Sequence, residues 1–227
     1  MTERIAVALD HLGGREAAAL MHGGRLEDLL IDGETPRPGT IYRAIADRPV
    51  KGQGGLFLRT PDGNAFLRQV KGITPGQALL VQVTGHAEPG KAIPVTARVL
   101  FKSRYAIVTP EAPGQNVSRA IRDEDERARL HAIAAEAMGG SGMGLILRSA
   151  CESAGDDEIA ADIAQMREVA EAVKSDAEGR GPEKLLEGDG PHARAWRDWP
   201  LPDELGREPG CFEEFGVLER IDDLCTP

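Results

Sequence analysis

Between residues 40 and 101 the chain sets five short apolar runs between turns. The runs are TIYRAIA, GLFLR, NAFLR, ALLVQVTG and IPVTARVLF; the breaks between them include Pro61-Asp62-Gly63, Thr74-Pro75-Gly76 and Glu88-Pro89-Gly90-Lys91. Proline and glycine at these points fix turn geometry and stop a helix from running through. Runs this short have the length of strands. Several short strands divided by Gly/Pro turns point to a small sandwich or barrel.

About 60 residues in five strands is the size of an OB-fold barrel. The flanking segments differ in texture. RIAVALD (4–10) reads as a strand. Residues 16–34 read as two strands around His22-Gly23-Gly24, because Gly-Gly between apolar runs marks a hairpin; a helix is the competing reading for the alanines. TPRPG (35–39) separates this from the barrel block. YAIVTP (105–110) is a further strand, followed by a helix over 118–138, with Ile121, Leu130, Ile133, Ala134 and Ala137 near helical spacing. GGSGMG ends it, and LILRSA (145–150) returns as a strand. A second helix over 156–178 opens with three acids that complement its dipole and ends at Gly179. GRGP (179–182) is a linker, KLLEG a short strand or turn, and HARAWRDW the start of a helix.

The chain carries 27 Lys and Arg against 37 Asp and Glu, a net charge of −10. That balance excludes a protein that coats nucleic acid by bulk charge, so a nucleic-acid site would be a local basic patch. The three cysteines, Cys151, Cys211 and Cys225, are odd in number and fit no zinc spacing. A reducing cytoplasm is the expected location. MTERIAVALD is too short and too charged for a signal peptide. No apolar run approaches the ~18 residues of a membrane span, so no membrane partner is expected.

Candidate sites follow from residue type. Asp10 ends the first strand, where an acid can serve a metal-dependent nuclease if partners such as Asp32 and Asp198 converge; a polar strand end is the simpler reading. The barrel block carries Tyr42, Phe57 and Phe66 with Arg43, Arg59, Arg68, Lys71 and Lys91. Bases stack on rings and cations hold the backbone; the alternative is that Phe57 and Phe66 fill the barrel core, since alternation alone does not say which face is inside. Arg148-Ser149 stands where a strand yields to a loop and helix, with Ser118-Arg119 opening the preceding helix. A guanidinium and a hydroxyl there suit a phosphate monoester, or Arg148 pairs with Asp156 or Asp157. Glu213, Glu214, Asp222 and Asp223 form two acidic pairs that read as a solvated tail. No HExxH, Walker loop or GxGxxG is present.

Taken in order, GRLEDLLIDGE, IYRAIA, GLFLR with NAFLR, PGQALLVQVTG with GKAIPVTARVLFKSRYAIVTP, SRAIRDEDERARL, GMGLILRSA and KLLEGDGPHARAWRDW resemble the amino-terminal part of the ribonuclease E/G family, over residues 4–199. The resemblance implies an α+β chain: a split RNase H-like subdomain (1–35 and 181–227), an inserted S1-type OB-fold barrel (36–98) and an α/β 5′-sensor-like subdomain (99–180). It implies single-stranded RNA as partner. Arg148 and Ser149 match the arginine and threonine that hold a 5′-monophosphate in the family, and Arg119 matches an arginine beside that pocket. Ser103 stands where the family usually has glycine, so its side chain could narrow the pocket. The family cuts RNA with aspartates of a DNase I-like subdomain, on stretches like AxDxN and VIDF that hold Mg²⁺; neither these nor a CPxC zinc link occurs in this sequence. The expectation is therefore an RNA-binding, non-catalytic chain with no catalytic residue, no metal and no cofactor of its own. Mg²⁺ would enter only with a catalytic subdomain. The alternative is an active Mg²⁺-dependent endoribonuclease. The family also self-associates, but largely through regions absent from this sequence.

Overall fold

The computed structural model describes residues 4–33, 36–50, 54–68 and 72–225. The chain divides into two units, one made of residues 1–35 and 189–227 and the other of residues 36–188.

The first unit opens with an antiparallel meander of β1 (Ile5–Leu12), β2 (Arg15–His22) and β3 (Arg25–Ile31). Both turns are Gly-Gly pairs with φ between 57° and 81°. That left-handed geometry is what a tight hairpin needs and what glycine supplies without strain. The alanines 17–19 are strand, as the hairpin reading expects, and are wholly buried. Their small side chains suit a sheet packed on both faces.

In the second unit, β4 (Ile41–Val50), β5 (Gly55–Thr60), β6 (Gly63–Leu67), β7 (Ala78–Val83) and β8 (Ile93–Thr96) run in the order β4-β5-β6-β8-β7. Pairing of β7 back to β4 closes a five-stranded barrel, and β6 and β8 pair in parallel. This is a closed barrel consistent with an OB-fold. Its interior holds Tyr42, Ala44, Leu56, Leu58, Ala65, Leu67, Val81 and Val95. IPVTARVLF is not one strand: it leaves the barrel after Thr96, and β9 (Phe101–Lys102) joins a second sheet.

That sheet runs β11 (Gln115–Val117), β12 (Gly144–Leu147), β10 (Ala106–Thr109), β9. Two helices cover it, α1 (Glu124–Met138) and α2 (Asp156–Asp176), around a core that includes Leu130, Leu145, Leu147, Ile159 and Ile163. The first helix begins six residues later than its apolar spacing predicts. Asp123 accepts a hydrogen bond from Glu126 N (2.8 Å) as N-cap, and Ser118–Ile121 is a turn closed by Ile121 N to Ser118 O (3.2 Å). A side-chain acceptor at the N-cap decides where the helix starts. Gly144 sits so tightly that a Cβ would overlap the Ala112 carbonyl oxygen and lie 2.9 Å from Ala112 C. After α2, β13 (Glu183–Leu186) pairs antiparallel with β4, so this segment joins the barrel sheet. Gly188 N then donates to Thr40 Oγ1 (3.0 Å), and a Cβ on Gly188 would lie 2.5 Å from Pro38 O. The two ends of the unit lie side by side.

The return segment completes the first unit with α3 (Pro191–Asp198), β14 (Glu204–Gly206) parallel to β1, and the single turn α4 (Cys211–Glu214). Ala195 and Trp199 pack on one face of the sheet, and Cys211, Phe212 and Val217 on the other. Among the described residues no helix is long and apolar enough to cross a membrane.

Candidate nucleic-acid interface

Strand alternation puts Leu56, Leu58, Ala65 and Leu67 inside the barrel, so Phe57 and Phe66 must face out. They are directly opposite across β5 and β6, and Phe66 is opposite Pro94 on β8. The result is an apolar row across three strands. The Phe57 and Phe66 ring centroids are 5.4 Å apart with planes tilted by 54°. A Cβ on Gly55 would lie 2.6 Å from Phe66 Cε2. The missing side chain at 55 is therefore what lets the Phe66 ring lie down along the barrel wall.

The row forms part of the lining of an open groove of about 1220 Å³. Arg48 sits over the Phe57 ring, 5.7 Å from its centroid, at cation–π distance. Arg48, Arg68 and Lys91 oppose Asp47 and Glu88 in the lining, three cations against two anions on a chain of net charge −10. Lys91 Nζ is held by Glu88 at 2.5 Å. Asn64, opposite Arg59, and His86 also line the groove. Arg48, Asn64 and His86 escaped the sequence reading. Arg48 lies past the end of the apolar run at Ala46 on a strand that continues to Val50, and His86 lies in a turn-rich loop with no pattern of its own.

Two barrel residues expected to face RNA are instead internal. Tyr42 is 0% exposed. Its hydroxyl donates to Asp62 (2.5 Å), which also holds Lys184 (2.9 Å), and burial followed by the Asp62 hydrogen bond pushes the phenol far up. A ring closed on every side cannot stack a base. Arg43 is 3% exposed and bonds carbonyls at the end of α2 and in the segment after it. Lys71 lies outside the described residues.

The second cluster is at one end of the β11-β12-β10-β9 sheet. Because β11 and β12 are parallel, Ser118-Arg119 and Arg148-Ser149 leave the sheet at the same end, where Ser118 N donates to Leu147 O (2.8 Å). Arg119 and Ser149 are exposed, and Arg148 is half-buried. The strand ends at Leu147, and Ser149 opens a 3₁₀ turn. Arg148 Nη1 donates to Ser103 O (2.5 Å), which orients the guanidinium through a backbone carbonyl. Of the two expected ion-pair rivals, Asp156 and Asp157, the first is paired with Arg129. The Ser103 hydroxyl turns to Asp162 on α2 and accepts from Ala106 N (3.1 Å). Ser103 is 9% exposed, so its side chain is spent in this network. Tyr105 N also donates to Asp162 (3.1 Å), and the Tyr105 hydroxyl to Glu158 (2.6 Å). Burial and that carboxylate raise the Tyr105 hydroxyl above its ordinary range.

Of the acids that a nuclease reading would gather, Asp10, Asp198 and Asp223 are committed elsewhere. Asp10 accepts from His11 N (2.8 Å), Gly210 N (3.0 Å) and Phe212 N (3.2 Å). Burial pushes its carboxyl up, but the backbone N–H groups outweigh this and hold it below the usual range. Asp198 is paired with Arg197 (2.8 Å), and Asp223 accepts from Leu26 N (3.1 Å). The side chain of Asp222 lies outside the described residues. Among the described residues no three His, Cys, Asp or Glu side chains are grouped to hold a metal ion.

Asp10 thus ties the α4 turn to β1. A depressed folded pKa gives stability that is present above the unfolded value, about 3.9, and is lost as pH falls through the folded value. Asp10→Asn is expected to remove that part of the acid dependence. Chemical denaturation between about pH 7 and pH 2 reads it. An acid limb identical to that of the unmodified chain would show that Asp10 contributes nothing there.

Comparison with known sequences finds a family model and several relatives. Residues 101–204 match the model of the Ribonuclease E/G family. Ribonuclease E of Synechocystis sp. is 27% identical over 206 residues, covering 83% of this chain and 30% of that protein. Ribonuclease E of Nostoc sp. is 27% identical with 83% and 29% covered, and ribonuclease G of Escherichia coli 29% identical with 66% and 36% covered. The chain spans about a third of the length of these relatives. A matching family model over residues 101–204 and relatives along most of the sequence make the chain similar to the ribonuclease E/G family.

Proposed function

We propose that this chain holds single-stranded RNA along the barrel groove and receives a 5′-monophosphate at the Arg148 rim, without itself cutting the strand. The observation that carries this reading is the Phe57–Phe66 row beside Arg48, Arg68 and Lys91. The face and loops of an OB barrel that bind oligonucleotides are the ones bearing these residues. Rings take base faces, and a duplex hides its base faces in the stack, so the groove favours unpaired strands. RNA is the nucleic acid acted on by the relatives, as their names state.

In this reading the sheet bearing Arg148 is the 5′-sensor, and the four-stranded sheet of the other unit is the RNase H-like part. Arg148, Arg119 and Ser149 supply two cations and a hydroxyl on one rim, a donor set matched to a phosphate monoester. In this reading Ser103 does not compete for the phosphate, its hydroxyl being turned to Asp162. Cleavage is no part of the proposal: the Asp10 carboxylate is occupied by backbone N–H groups, and Asp198 by Arg197. A cytoplasmic location fits these roles.

Arg148→Ala tests the rim. A charge-assisted hydrogen bond contributes about 1.5–3 kcal/mol, so the variant is expected to lose about 10- to 100-fold in affinity for 5′-monophosphorylated RNA. Binding of the 5′-hydroxyl RNA should change little. Anisotropy titrations with 3′-labelled strands read both, and equal losses on the two RNAs would refute phosphate sensing.

A further inference from the structure

The C-terminal end of α2 is closed by a residue of the barrel. Arg43, on β4, donates through Nε to Gly181 O (2.8 Å), through Nη1 to Asp176 O and through Nη2 to the Glu183 carboxylate. A helix leaves its last carbonyls without partners, and here one forked cation takes one of them together with the chain that follows. Gly179 packs directly on the guanidinium: a Cβ there would lie 2.7 Å from Arg43 Cζ. The other end of α2 is tied just as firmly. Asp162 and Glu158, in its first two turns, hold Ser103 and Tyr105, and Ser103 O orients Arg148. The helix has 21 residues, about 31 Å at 1.5 Å per residue. Beyond Arg43, β4 continues to Asp47 and Arg48 in the groove. One rod and one strand, pinned at Arg43, therefore connect the rim to the groove inside a single unit.

We propose that Arg43 is a positioning residue that holds the groove and the Arg148 rim at one fixed separation, so that a single RNA strand occupies both at once. This rests on the binding reading given above. Two linked contacts act together only when their geometry permits simultaneous engagement, and the gain then exceeds either contact alone by about 100-fold or more. A joint that swings spreads that gain over unproductive separations. Arginine suits the task because its planar fork fixes direction as well as charge, which lysine does not.

The test compares the unmodified chain with Arg43→Met, Arg43→Lys and Gly179→Ala. Each is titrated with a 5′-monophosphorylated oligouridylate of about 20 nucleotides, its 5′-hydroxyl form, and a 5′-monophosphorylated strand of about 4 nucleotides too short to bridge. Melting curves establish that each variant is folded at the assay temperature. Gly179→Ala keeps the charge and every acceptor, so it reads the joint even where Arg43→Met fails to fold. For Arg43→Met and Gly179→Ala, the advantage of the long phosphorylated strand over the short one is expected to drop at least about tenfold, with short-strand affinity changed less than about twofold. Arg43→Lys should recover part of the advantage. Long and short strands losing affinity in step would mean a merely structural role and overturn the inference, as would an unchanged advantage. No binding of any probe by the unmodified chain would sink the binding reading and this inference with it; binding with an unaltered advantage sinks the inference alone.

Discussion

Replacing Phe57 and Phe66 together by alanine is expected to weaken single-stranded RNA binding by about 2–6 kcal/mol, at least about 30-fold, on the basis of about 1–3 kcal/mol per stacked base. Both rings are half-buried on the outer wall of the barrel, so the double variant should still fold. The cations of the groove are untouched, and the dependence of affinity on salt should keep its slope, since that slope counts phosphate contacts. Replacement by tyrosine or tryptophan preserves a ring face and should restore most of the affinity. Titrations at several salt concentrations check all three statements. A loss smaller than about threefold would show that the rings are wall and not platform.

Gly144→Ala should produce the largest loss of stability. The added methyl would overlap the Ala112 carbonyl oxygen and also crowd Thr109 Oγ1. The first obstacle is backbone, so β12 itself has to shift, and β12 is an interior strand between β11 and β10. Overpacking of this kind costs about 3 kcal/mol or more, equivalent to a fall in Tm of about 6–12 °C for a chain of this size. Because β12 leads into Arg148, any preference for 5′-monophosphorylated RNA should fall with it. Gly85→Ala, where the added methyl meets nothing within 4 Å, is the matched control and should stay within about 0.5 kcal/mol. Calorimetry of the two variants separates crowding from a general intolerance of alanine; equal Tm values would contradict the packing described at Gly144.

The barrel was legible because its turns are written in proline and glycine, and a strand between two such turns has few other ways to fold. Its phase was not. Whether Phe57 and Phe66 line the wall or fill the core depends on which alternate positions face inward, and a run such as GLFLR is apolar at both parities. Tyr42 shows the converse: an aromatic residue near arginines reads as a stacking platform, yet it shares a strand face with Ala44 and Ala46 in the interior. Arg43 was misread for a related reason. A sequence does not show that a guanidinium will meet the carbonyls near residues 176–181, which are more than 130 positions away. Arg148 and Arg119 were singled out from residue type and order. The parallel register of β11 and β12, by which the two segments leave the sheet at the same end, had no signal, since β11 is the three-residue strand QNV with one apolar residue. The late start of α1 was written in Asp123, but the apolar spacing of Ile121 with the helix concealed it.

The neighbouring ends of residues 36–188, joined by Gly188 N and Thr40 Oγ1, give the block of barrel and second sheet the status of a cassette. Its entry and exit already touch, so for the unit that flanks it in sequence the detour closes at almost no cost in chain entropy, however long the cassette becomes. Such a block can be trimmed, enlarged or exchanged over evolutionary time without asking the host strands to re-register.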